Sequence, residues 1–360
     1  MRRLEILHVL GTAQWEGTSI ARIVGMLAGE LDPARFRIRA WFLGEDGPLV
    51  QELREAGVEA RAFGWTSGAR DPLGALRFYQ ALRGRTVDLV HQHQGARSVR
   101  WMVKRALGMP ILVHLHGAIN DQRVASAGAD AVIAGSRWIA SQIAGFECDV
   151  VYPGVRIPSG GGGDKVEPAV VGMATRLVAG KGLLEMLAAM QSFDPGVRLE
   201  IAGEGPLRGV LEQEIRAREL ESRVALLGWQ RELQPLFGKW SVFVMPSVDE
   251  GFGMAALEAM AAGVPVVGVR SGALPELIED GATGLLGAAG DAGELGKNVG
   301  ALLKSAELRG RFGKAAQRRA AELFSPSRMA GSTAAIYERL VSSTERRGSG
   351  LASKRRAATP

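Results

Sequence analysis

Residues 246–267 read PSVDEGFGMAALEAMAAGVPVV, and this stretch decides the fold of the second half of the chain. The apolar run Val242–Met245 that precedes it predicts a buried strand. The stretch itself predicts a Gly-Phe-Gly turn, a helix from about Met254 and a further strand over Val264–Val269. A strand, a helix and a strand in this order form the repeating unit of a parallel sheet that is covered by helices.

The same alternation extends through the rest of the second half. It predicts strands over Ala169–Met173, Arg198–Ala202 and Val224–Leu227, and helices over Leu183–Gln191 and Leu207–Glu219. Glycines and polar residues cluster directly after these strands. Ligands of open parallel sheets bind outside the carboxyl ends of the strands, so we expect the candidate site residues in these loops.

The first half of the chain shows the same pattern of short apolar runs, turns and longer helical stretches. It predicts helices over Thr18–Leu31 and Leu49–Ala56. The predicted strands are Leu4–Leu10, Arg37–Leu43, Val58–Phe63, Asp88–His91, Ile111–His114, Asp130–Ala134 and Asp149–Tyr152.

A break in composition separates the two halves. Residues 157–168, IPSGGGGDKVEP, contain four consecutive glycines between prolines and predict a flexible linker. We therefore predict one domain over residues 1–156 and a second over 169–325. A helix over 326–343 and a basic, disordered tail over 344–360 complete the predicted organisation.

Composition excludes several classes of protein. Of the 360 residues 46% are hydrophobic and 23% are charged, as in an ordinary globular protein, and the single cysteine, Cys148, forms no internal disulfide. The net charge is +6, and five basic residues with no acidic one lie in 346–360, so the remainder of the chain is close to neutral. We therefore expect no nucleic-acid binding. No uncharged apolar stretch reaches the roughly 18 residues of a spanning helix. We expect a cytoplasmic protein.

Two glutamates mark the stretch around the Gly-Phe-Gly turn. Glu250 precedes the turn and Glu258 lies within the helix that the turn starts. The free N–H groups at a helix N-terminus form a ready site for a phosphate. Glu250 can reach sugar hydroxyls, and Glu258 can accept hydrogen bonds from a vicinal diol such as a ribose. The alternative is an exposed acidic helix start that complements the helix dipole.

A second candidate motif is ATRLVAGKG, residues 174–182, which leaves a strand and enters a helix. Arg176 and Lys181 flank a glycine-bearing loop, so both can converge on one anionic group. As cations they can neutralise a polyanionic group such as a diphosphate, a task that a metal ion performs in other proteins. The alternative is a pair of solvated surface cations.

The stretch 246–267 resembles the Glu-x7-Glu signature of the large family of retaining glycosyltransferases called glycosyl transferases group 1, or family 4. The resemblance implies an α/β protein of the GT-B fold, in which two Rossmann-like domains place parallel sheets on either side of a cleft. It implies that Glu250 lies beside the donor sugar and that Glu258 binds the nucleotide ribose. Arg176 and Lys181 match the Arg…Lys-Gly motif of the family, which binds the donor diphosphate.

Weaker matches to the family add further residues. Gly203 and Gly205 resemble a Gly-x-Gly-Pro turn that lines the cleft, and the segment 228–230 resembles the segment whose backbone reads the base. Gly17 occupies a loop that packs against the donor phosphates, although the family has paired glycines there and this chain has Trp15-Glu16-Gly17. The implied donor-binding set is Gly17, Arg176, Lys181, Gly203, Gly205, Gly228, Trp229, Gln230, Glu250, Gly251, Phe252, Gly253, Met254 and Glu258.

His116 ends a predicted strand and matches the histidine of the catalytic region in the family. The implied catalytic set is Glu250, His116, Arg176 and Lys181. Two His-x-His pairs, His91/His93 and His114/His116, leave a four-histidine metal site open as an alternative. No cysteine or nearby carboxylate completes such a site, the chain contains no Asp-x-Asp, and the family uses no metal, so we expect neither a metal nor another cofactor.

Two segments bear on partners. Arg97–Leu107 predicts a basic amphipathic helix with Trp101 beside its cationic face, which leaves peripheral contact with the inner face of a membrane open beside a solvated helix face. The predicted terminal helix matches the family helix that crosses back onto the first domain, and Tyr337 fits its pattern.

The resemblance implies transfer of a hexose-type sugar from a nucleotide-diphosphate donor to a saccharide or lipid-linked hydroxyl acceptor with retention, in cell-envelope polysaccharide or glycolipid synthesis. A sugar-nucleotide epimerase or phosphorylase of the same fold and a non-catalytic nucleotide-sugar-binding scaffold remain open. A dinucleotide oxidoreductase is disfavoured because no Gly-x-Gly-x-x-Gly follows the first strand.

Overall fold

The protein is described from a computed structural model that defines residues 2–14, 18–65, 71–93, 97–117, 127–143, 145–159 and 169–357. The chain forms two compact units. One contains residues 1–154 together with the residues from Pro326 onward, and the other contains residues 155–325. The predicted linker 157–168 lies largely outside the described residues.

The first unit contains a seven-stranded sheet in the order β3-β2-β1-β4-β5-β6-β7, and every strand pair in it is parallel. Its strands are β1 (Leu4–Leu10), β2 (Phe36–Phe42), β3 (Glu59–Ala62), β4 (Leu89–Gln92), β5 (Ile111–Leu115), β6 (Ala131–Ala134) and β7 (Asp149–Val150). Its helices are α1 (Thr18–Glu30), α2 (Pro48–Glu55), α3 (Pro72–Leu82), α4 (Arg97–Leu107), α5 (Arg137–Ser141) and the C-terminal α13 (Pro326–Ala357).

The second unit repeats this topology with a six-stranded parallel sheet in the order β10-β9-β8-β11-β12-β13. Its strands are β8 (Val170–Ala174), β9 (Arg198–Ala202), β10 (Val224–Gly228), β11 (Val242–Met245), β12 (Val266–Val269) and β13 (Gly284–Gly287). Its helices are α6 (Leu183–Ala189), α7 (Arg208–Ala217), α8 (Gln234–Phe237), α9 (Met254–Ala261), α10 (Leu274–Leu277), α11 (Ala292–Leu303) and α12 (Ala306–Leu323), with a 3₁₀ turn over Met190–Ser192.

Both sheets have the strand order of a Rossmann-type doubly wound fold. Successive residues of a strand face opposite sides of the sheet, and β1 shows the consequence. Ile6 and Leu10 lie in one buried cluster and Leu7 and Val9 lie in another. Each face of this sheet therefore buries its own apolar layer, and the predicted α/β class with two Rossmann-like domains is confirmed.

Seven of the described elements had no counterpart among the predicted ones: the helices α3, α5, α8, α10, α11 and α12 and the strand β13. The strand β13, GLLG, has glycine at both ends and little intrinsic strand preference, and its pairing with β12 holds it in the sheet. The helix α13 continues to Ala357, whereas the sequence predicted a helix end at 343 and a disordered tail from 344. No described helix combines the length and apolarity that crossing a bilayer requires.

Candidate functional site

The carboxyl ends of β8 and β11 form the topological switch point of the second unit. These two strands are neighbours, yet the chain proceeds from β8 toward β9 on one side and from β11 toward β12 on the other. The loops that follow them, residues 175–182 and 246–253, therefore diverge above the sheet. Crevices of this kind are the usual ligand sites of doubly wound sheets.

Two contacts join these loops. The backbone N–H of Val248 donates to the carbonyl oxygen of Gly180 at 2.9 Å. The Nζ of Lys181 lies 2.7 Å from Oε2 of Glu250, and the two side chains are 18% and 20% exposed. The carbonyl oxygen of Glu250 also accepts from the N–H of Ala273 at 2.9 Å. Both the backbone and the carboxylate of Glu250 are thus fixed before any ligand binds.

Two helices begin at this crevice without a capping side chain. Gly253 precedes α9 with φ of 93°, and Gly182 precedes α6 with φ of 66°. This left-handed conformation is readily reached by glycine and not by residues with a Cβ. No side-chain cap is made at either start within the described residues, so the first N–H groups of α9 and the positive end of its dipole are available to an anion.

Buried contacts hold the Gly-Phe-Gly turn in place. Phe252 is buried, and its ring packs edge-on against Phe324 with centroids 5.4 Å apart. Asp249 has a positive φ of 54°, and its N–H donates to Oγ of Ser271 at 3.0 Å. The turn is therefore fixed on both sides, and the backbone from Gly251 to Met254 reaches the start of α9 in one defined conformation.

Arg176 lies on the other wall of the crevice. Its neighbour Leu177 is completely buried, and the backbone of Leu177 accepts from Leu207 at 3.0 Å and donates to Glu204 at 2.9 Å. Burial of Leu177 leaves Arg176 exposed, and within the described part of the chain its guanidinium makes no hydrogen bond or ion pair. Arg176 is thus an exposed cation at the switch point, without a carboxylate partner among the described residues.

The glycines after β9 and β10 lie in the same loop layer. The N–H of Gly203 donates to the carbonyl oxygen of Gly228 at 2.7 Å. A Cβ on Gly205 would lie 2.5 Å from the carbonyl oxygen of Leu177, so the loop that carries Gly205 packs directly against the loop that carries Arg176. Trp229 exposes 40% of its surface, and Nε2 of Gln230 donates to the carbonyl oxygen of Leu227 at 2.9 Å.

Glu258 is the fifth residue of α9 and is half-buried. Ser247, which the sequence analysis did not select, is only 1% exposed and lies in the loop after β11. Its Oγ has no hydrogen-bond partner among the described residues. A buried hydroxyl without a partner is uncommon, so Ser247 is an additional candidate for contact with a ligand. A serine in a loop after a strand gives no sequence signal that separates it from an ordinary turn residue.

The predicted residues of the first unit have a different environment. His116 follows β5 and is half-buried, and its Nε2 lies 2.8 Å from Nδ1 of His93. Burial lowers the pKa of His116 to about 4, so the ring is neutral near pH 7. Gly17 lies outside the described residues. The structure therefore brings the predicted residues together in two groups: Arg176, Lys181 and the glutamates in the second unit, and His116 in the first.

The second half of the chain matches a known protein family. The family called glycosyl transferases group 1 matches residues 161–319. An uncharacterised glycosyltransferase of Methanocaldococcus jannaschii is 30% identical over 249 residues, which represent 63% of this chain and 69% of that relative. The chain belongs to the glycosyl transferases group 1 family.

Two further similarities are more specific. The D-inositol 3-phosphate glycosyltransferase of Streptomyces scabiei is 28% identical over 315 residues, or 73% of this chain and 70% of that relative. The crystal structure of Alr3699/HepE from Anabaena, in complex with UDP and glucose, matches with a TM-score of 0.80 at 22% identity, covering 93% of this chain and 100% of that one. The similarity to HepE identifies the fold as GT-B. Matches to several other curated relatives span only 26% to 48% of their length.

Proposed function

We propose that the protein is a retaining glycosyltransferase that moves a hexose-type sugar from a nucleotide-diphosphate donor to a hydroxyl acceptor. The observation that carries this proposal is the switch point of the second unit, where the Lys181–Glu250 pair adjoins two helix N-termini that have no capping side chain. Positive charge and free N–H donors are needed where a diphosphate departs, and a carboxylate is needed beside sugar hydroxyls.

In this proposal each candidate site residue of the second unit has one role. The diphosphate lies against the N–H groups at the start of α9, with Arg176 and Lys181 as its cations. Glu258 accepts from the ribose hydroxyls, and the segment 228–230 contacts the base. Glu250 accepts from the donor sugar and, through Lys181, links the sugar to the leaving group.

The reaction breaks the bond between the anomeric carbon and the diphosphate oxygen and forms a bond from that carbon to the acceptor oxygen. The departing nucleoside diphosphate keeps the bonding electron pair, and its leaving oxygen takes the proton that the acceptor hydroxyl loses. Charge builds up on the diphosphate in the transition state, where Arg176 and Lys181 stabilise it most. With retention, the acceptor approaches the face of the sugar from which the diphosphate departs.

His116 is the proposed contribution of the first unit. Because burial lowers the pKa of His116 to about 4, the ring is a neutral imidazole at physiological pH. Nε2 of this ring already faces His93, so its Nδ1 remains for a contact, and an uncharged ring suits a sugar hydroxyl rather than the anionic diphosphate. We propose that the acceptor contacts the first unit. The proposed acceptor is a saccharide or a lipid-linked glycan.

We propose that this reaction requires no metal ion. Arg176 and Lys181, together with the helix N-termini, supply the positive charge that a divalent cation supplies in other transferases. In this proposal no pair of carboxylates has to hold a metal ion. The carboxylate of Glu250 instead forms an ion pair with Lys181.

A role in cell-envelope polysaccharide or glycolipid synthesis is supported by the surface of the first unit. The helix α4 buries Val99, Met102 and Val103 in the core, and Trp101 is 67% exposed on its outer side. Leu73 of α3, the helix that packs against α4, is exposed as well. Exposed apolar side chains beside the cations of α4 suit peripheral contact with an anionic membrane.

The proposal is tested by thermal unfolding of the full chain with a panel of nucleotide-diphosphate sugars, each with and without EDTA. A specific donor at a hundredfold excess over its Kd raises the free energy of unfolding by about 2.7 kcal/mol. The donor that stabilises is then incubated with saccharide and lipid-linked acceptors, and the anomeric configuration of the product is read by NMR.

Transfer with retention, unchanged by EDTA, is the expected result. Release of an epimerised donor without an acceptor would favour the epimerase alternative, and formation of a sugar phosphate from inorganic phosphate as acceptor would favour the phosphorylase. Binding of a donor with no turnover on any acceptor would favour a nucleotide-sugar-binding scaffold, and a requirement for a divalent cation would overturn the metal-free chemistry.

A further inference from the structure

All five histidines of the chain lie in one cluster on one face of the first sheet. His8 is directly paired with His91 across β1 and β4. His8, His91 and His114 occupy the strand positions of the α1 face, the face on which Ile6, Leu89 and Leu112 are buried. His93 and His116 continue this face just beyond the ends of β4 and β5.

Four of these rings form a hydrogen-bonded chain with Tyr337. His91 Nδ1 lies 2.7 Å from the hydroxyl of Tyr337, and that hydroxyl lies 3.3 Å from Nε2 of His8. His8 Nδ1 lies 2.8 Å from Nε2 of His93, and His93 Nδ1 lies 2.8 Å from Nε2 of His116. A neutral imidazole has one donor and one acceptor, so with every proton on Nδ1 each link of this chain is satisfied.

His114 is the exception. It is 3% exposed, and among the described residues neither of its ring nitrogens has a hydrogen-bond partner. Its ring stacks on that of His116 with centroids 4.0 Å apart, and it also lies beside the ring of His93. Leaving a polar group buried without a partner costs about 1–3 kcal/mol. An apolar side chain would avoid that cost, so the imidazole at this position indicates a ligand.

We propose that His93, His114 and His116 bind one divalent transition-metal ion of the zinc class at the ends of β4 and β5. One nitrogen from each of the three rings lies within 4.8 Å of the others. Three imidazoles form an established zinc ligand set that leaves a fourth position for water. Magnesium and calcium prefer oxygen ligands and are poor candidates for such a site.

Within the His93–His116 pair the distance requires only a small adjustment, whereas the ring of His114, which stacks on His116, must turn to direct a nitrogen at the same ion. His93 Nδ1 and His116 Nε2 now lie 2.8 Å apart and share one proton. Tetrahedral coordination with Zn–N bonds of about 2.0–2.1 Å places two nitrogens about 3.3 Å apart. The ion therefore replaces the shared proton when the two rings separate by about half an ångström. His116 is half-buried, so the ion can reach these rings from outside.

The rest of the hydrogen-bonded chain fits the role of an outer shell. With a metal on Nδ1, His93 carries its proton on Nε2 and donates to Nδ1 of His8. His8 then donates from Nε2 to the hydroxyl of Tyr337, which in turn donates to Nδ1 of His91. Metal-bound histidines commonly donate their second N–H to an acceptor of this kind, which fixes the ring orientation. The ion displaces the Nδ1 proton of His93 to solvent. His91 passes its Nδ1 proton to Tyr337 and takes one proton from solvent on Nε2, so the net number of protons on the cluster is unchanged.

A second group, His8, His91 and His93, also brings three ring nitrogens within 4.8 Å of one another. It is the poorer choice because two of its rings, His8 and His91, also contact Tyr337, whereas in the outer group one ring, His93, contacts a group outside the set, His8. All three residues of this inner group are also fully or almost fully buried. The outer group contains both the half-exposed ring and the ring without partners.

Occupation of the outer group has a consequence that rests on the proposed function. His116 is the residue of the first unit that we place beside the donor sugar. A metal on its Nε2 fixes the ring and adds positive charge beside Nδ1, the ring nitrogen that the contact with His93 leaves for the donor sugar. The ion is therefore an inhibitor of transfer rather than a cofactor.

The binding site is tested by titrating metal-free, full-length protein with Co²⁺ and recording the visible absorption of tetrahedral cobalt, followed by displacement with Zn²⁺. We expect one ion per chain in the wild type and none in His114→Leu or His116→Ala. His114→Leu removes a buried imidazole without partners, so it should fold at least as stably as the wild type. His91→Gln is the matched control and should bind Co²⁺ as the wild type does.

Activity gives a separate readout. Zn²⁺ should reduce transfer by the wild type, EDTA should restore it, and Zn²⁺ should leave the activity of His114→Leu at its own metal-free level. An unchanged cobalt spectrum in folded His114→Leu, or loss of binding in His91→Gln alone, would overturn the site. Cobalt binding to the wild type with no effect of Zn²⁺ on transfer would overturn the inhibitory role. The cobalt titration does not depend on whether a transferase reaction is found.

Discussion

Lys181 and Glu250 form an ion pair, with Nζ 2.7 Å from Oε2, across the switch point of the second sheet. The two residues are 69 positions apart in the chain and come from the loops after β8 and β11. The pair holds the ammonium beside the uncapped start of α9 before a donor arrives. Charges that are already in position require no reorganisation when a diphosphate departs, which is the condition for effective electrostatic catalysis.

Removal of the Lys181 charge should slow transfer strongly. We expect Lys181→Ala to lower kcat/KM by about 10²–10³-fold, the effect of removing one preorganised group that stabilises transition-state charge. Lys181→Arg keeps the charge and should lose less. Lys239→Ala, which removes an exposed lysine of the same unit, is the control for a change in net charge. Steady-state kinetics of these variants check the prediction, and equal losses in Lys181→Ala and Lys239→Ala would contradict it.

The two glutamates should affect different kinetic constants. Glu258→Gln weakens a charged hydrogen bond to the ribose in ground and transition states alike, so KM for the donor should rise by about 10–100-fold, corresponding to about 1.5–3 kcal/mol. Glu250→Gln disrupts the pair with Lys181 and the contact with the reacting sugar, so kcat should fall instead. Glu221→Gln, an exposed glutamate, is the control. A fall in kcat with unchanged KM for Glu258→Gln would remove the ribose role.

The loop layer should tolerate no side chain at Gly203. Its φ is 143°, and a Cβ would overlap the carbonyl oxygen of Thr175, so Gly203→Ala should destabilise the protein by more than about 2 kcal/mol. Gly300 lies within α11 with open space around it, so Gly300→Ala should stabilise by about 0.5–1 kcal/mol. Chemical denaturation measures both, and the opposite signs separate strain at Gly203 from a general effect of alanine.

The alternation of apolar runs and glycine-rich turns was sufficient to predict most of the sheet framework. Arg198–Ala202 and Val242–Met245 have the predicted bounds. The first alternates charged and apolar residues and ends before a glycine-containing turn, and the second is an apolar run that ends at a proline. The strand β13 could not be predicted in this way, since GLLG owes its conformation to the neighbouring strand rather than to its own residues. Pairing between distant segments is not encoded in local pattern.

The same limit applies to the sites. Sequence motifs selected Lys181 and Glu250 separately, but their ion pair depends on the strand order, which places β8 next to β11. The sequence showed His91, His93, His114 and His116 as two pairs and gave no reason to add His8, which joins them only because β1 pairs with β4. Ser247 became visible only through its burial and its hydroxyl without a partner among the described residues.

Acidification should unfold the protein through the histidine cluster. Burial lowers the pKa of His8 to about 3 and of His116 to about 4, and it lowers the pKa of the other three rings well below 6.5. In the unfolded chain these pKa values return to about 6.5. Below that pH the unfolded state binds more protons than the folded state. The contribution of the neutral rings to the free energy of unfolding is therefore fully present above pH 6.5 and is lost as the pH drops toward 4.

The size of this effect gives the test. Each histidine contributes a slope that approaches about 1.4 kcal/mol per pH unit once it is fully protonated in the unfolded state. His114→Leu should therefore reduce the slope between pH 6 and pH 5 by one such contribution, measured by urea unfolding in EDTA. That window lies above the range in which most carboxylates titrate. The same slope in wild type and His114→Leu would show that His114 does not remain neutral in the folded state.

Membrane contact should depend on Trp101. The helix α4 presents this ring outward, and Arg97 and Arg105 are exposed on the same helix, whereas Lys104 is paired with Asp130 at 2.8 Å. We expect the protein to float with anionic vesicles more than with neutral ones, and less at high salt, because surface attraction is screened over about 10 Å at 0.1 M salt. Trp101→Ala should reduce flotation, while Trp229→Ala, which removes an exposed tryptophan of the second unit, should not. Flotation that is equal for neutral and anionic vesicles, or equal for the two variants, would remove α4 as the contact surface.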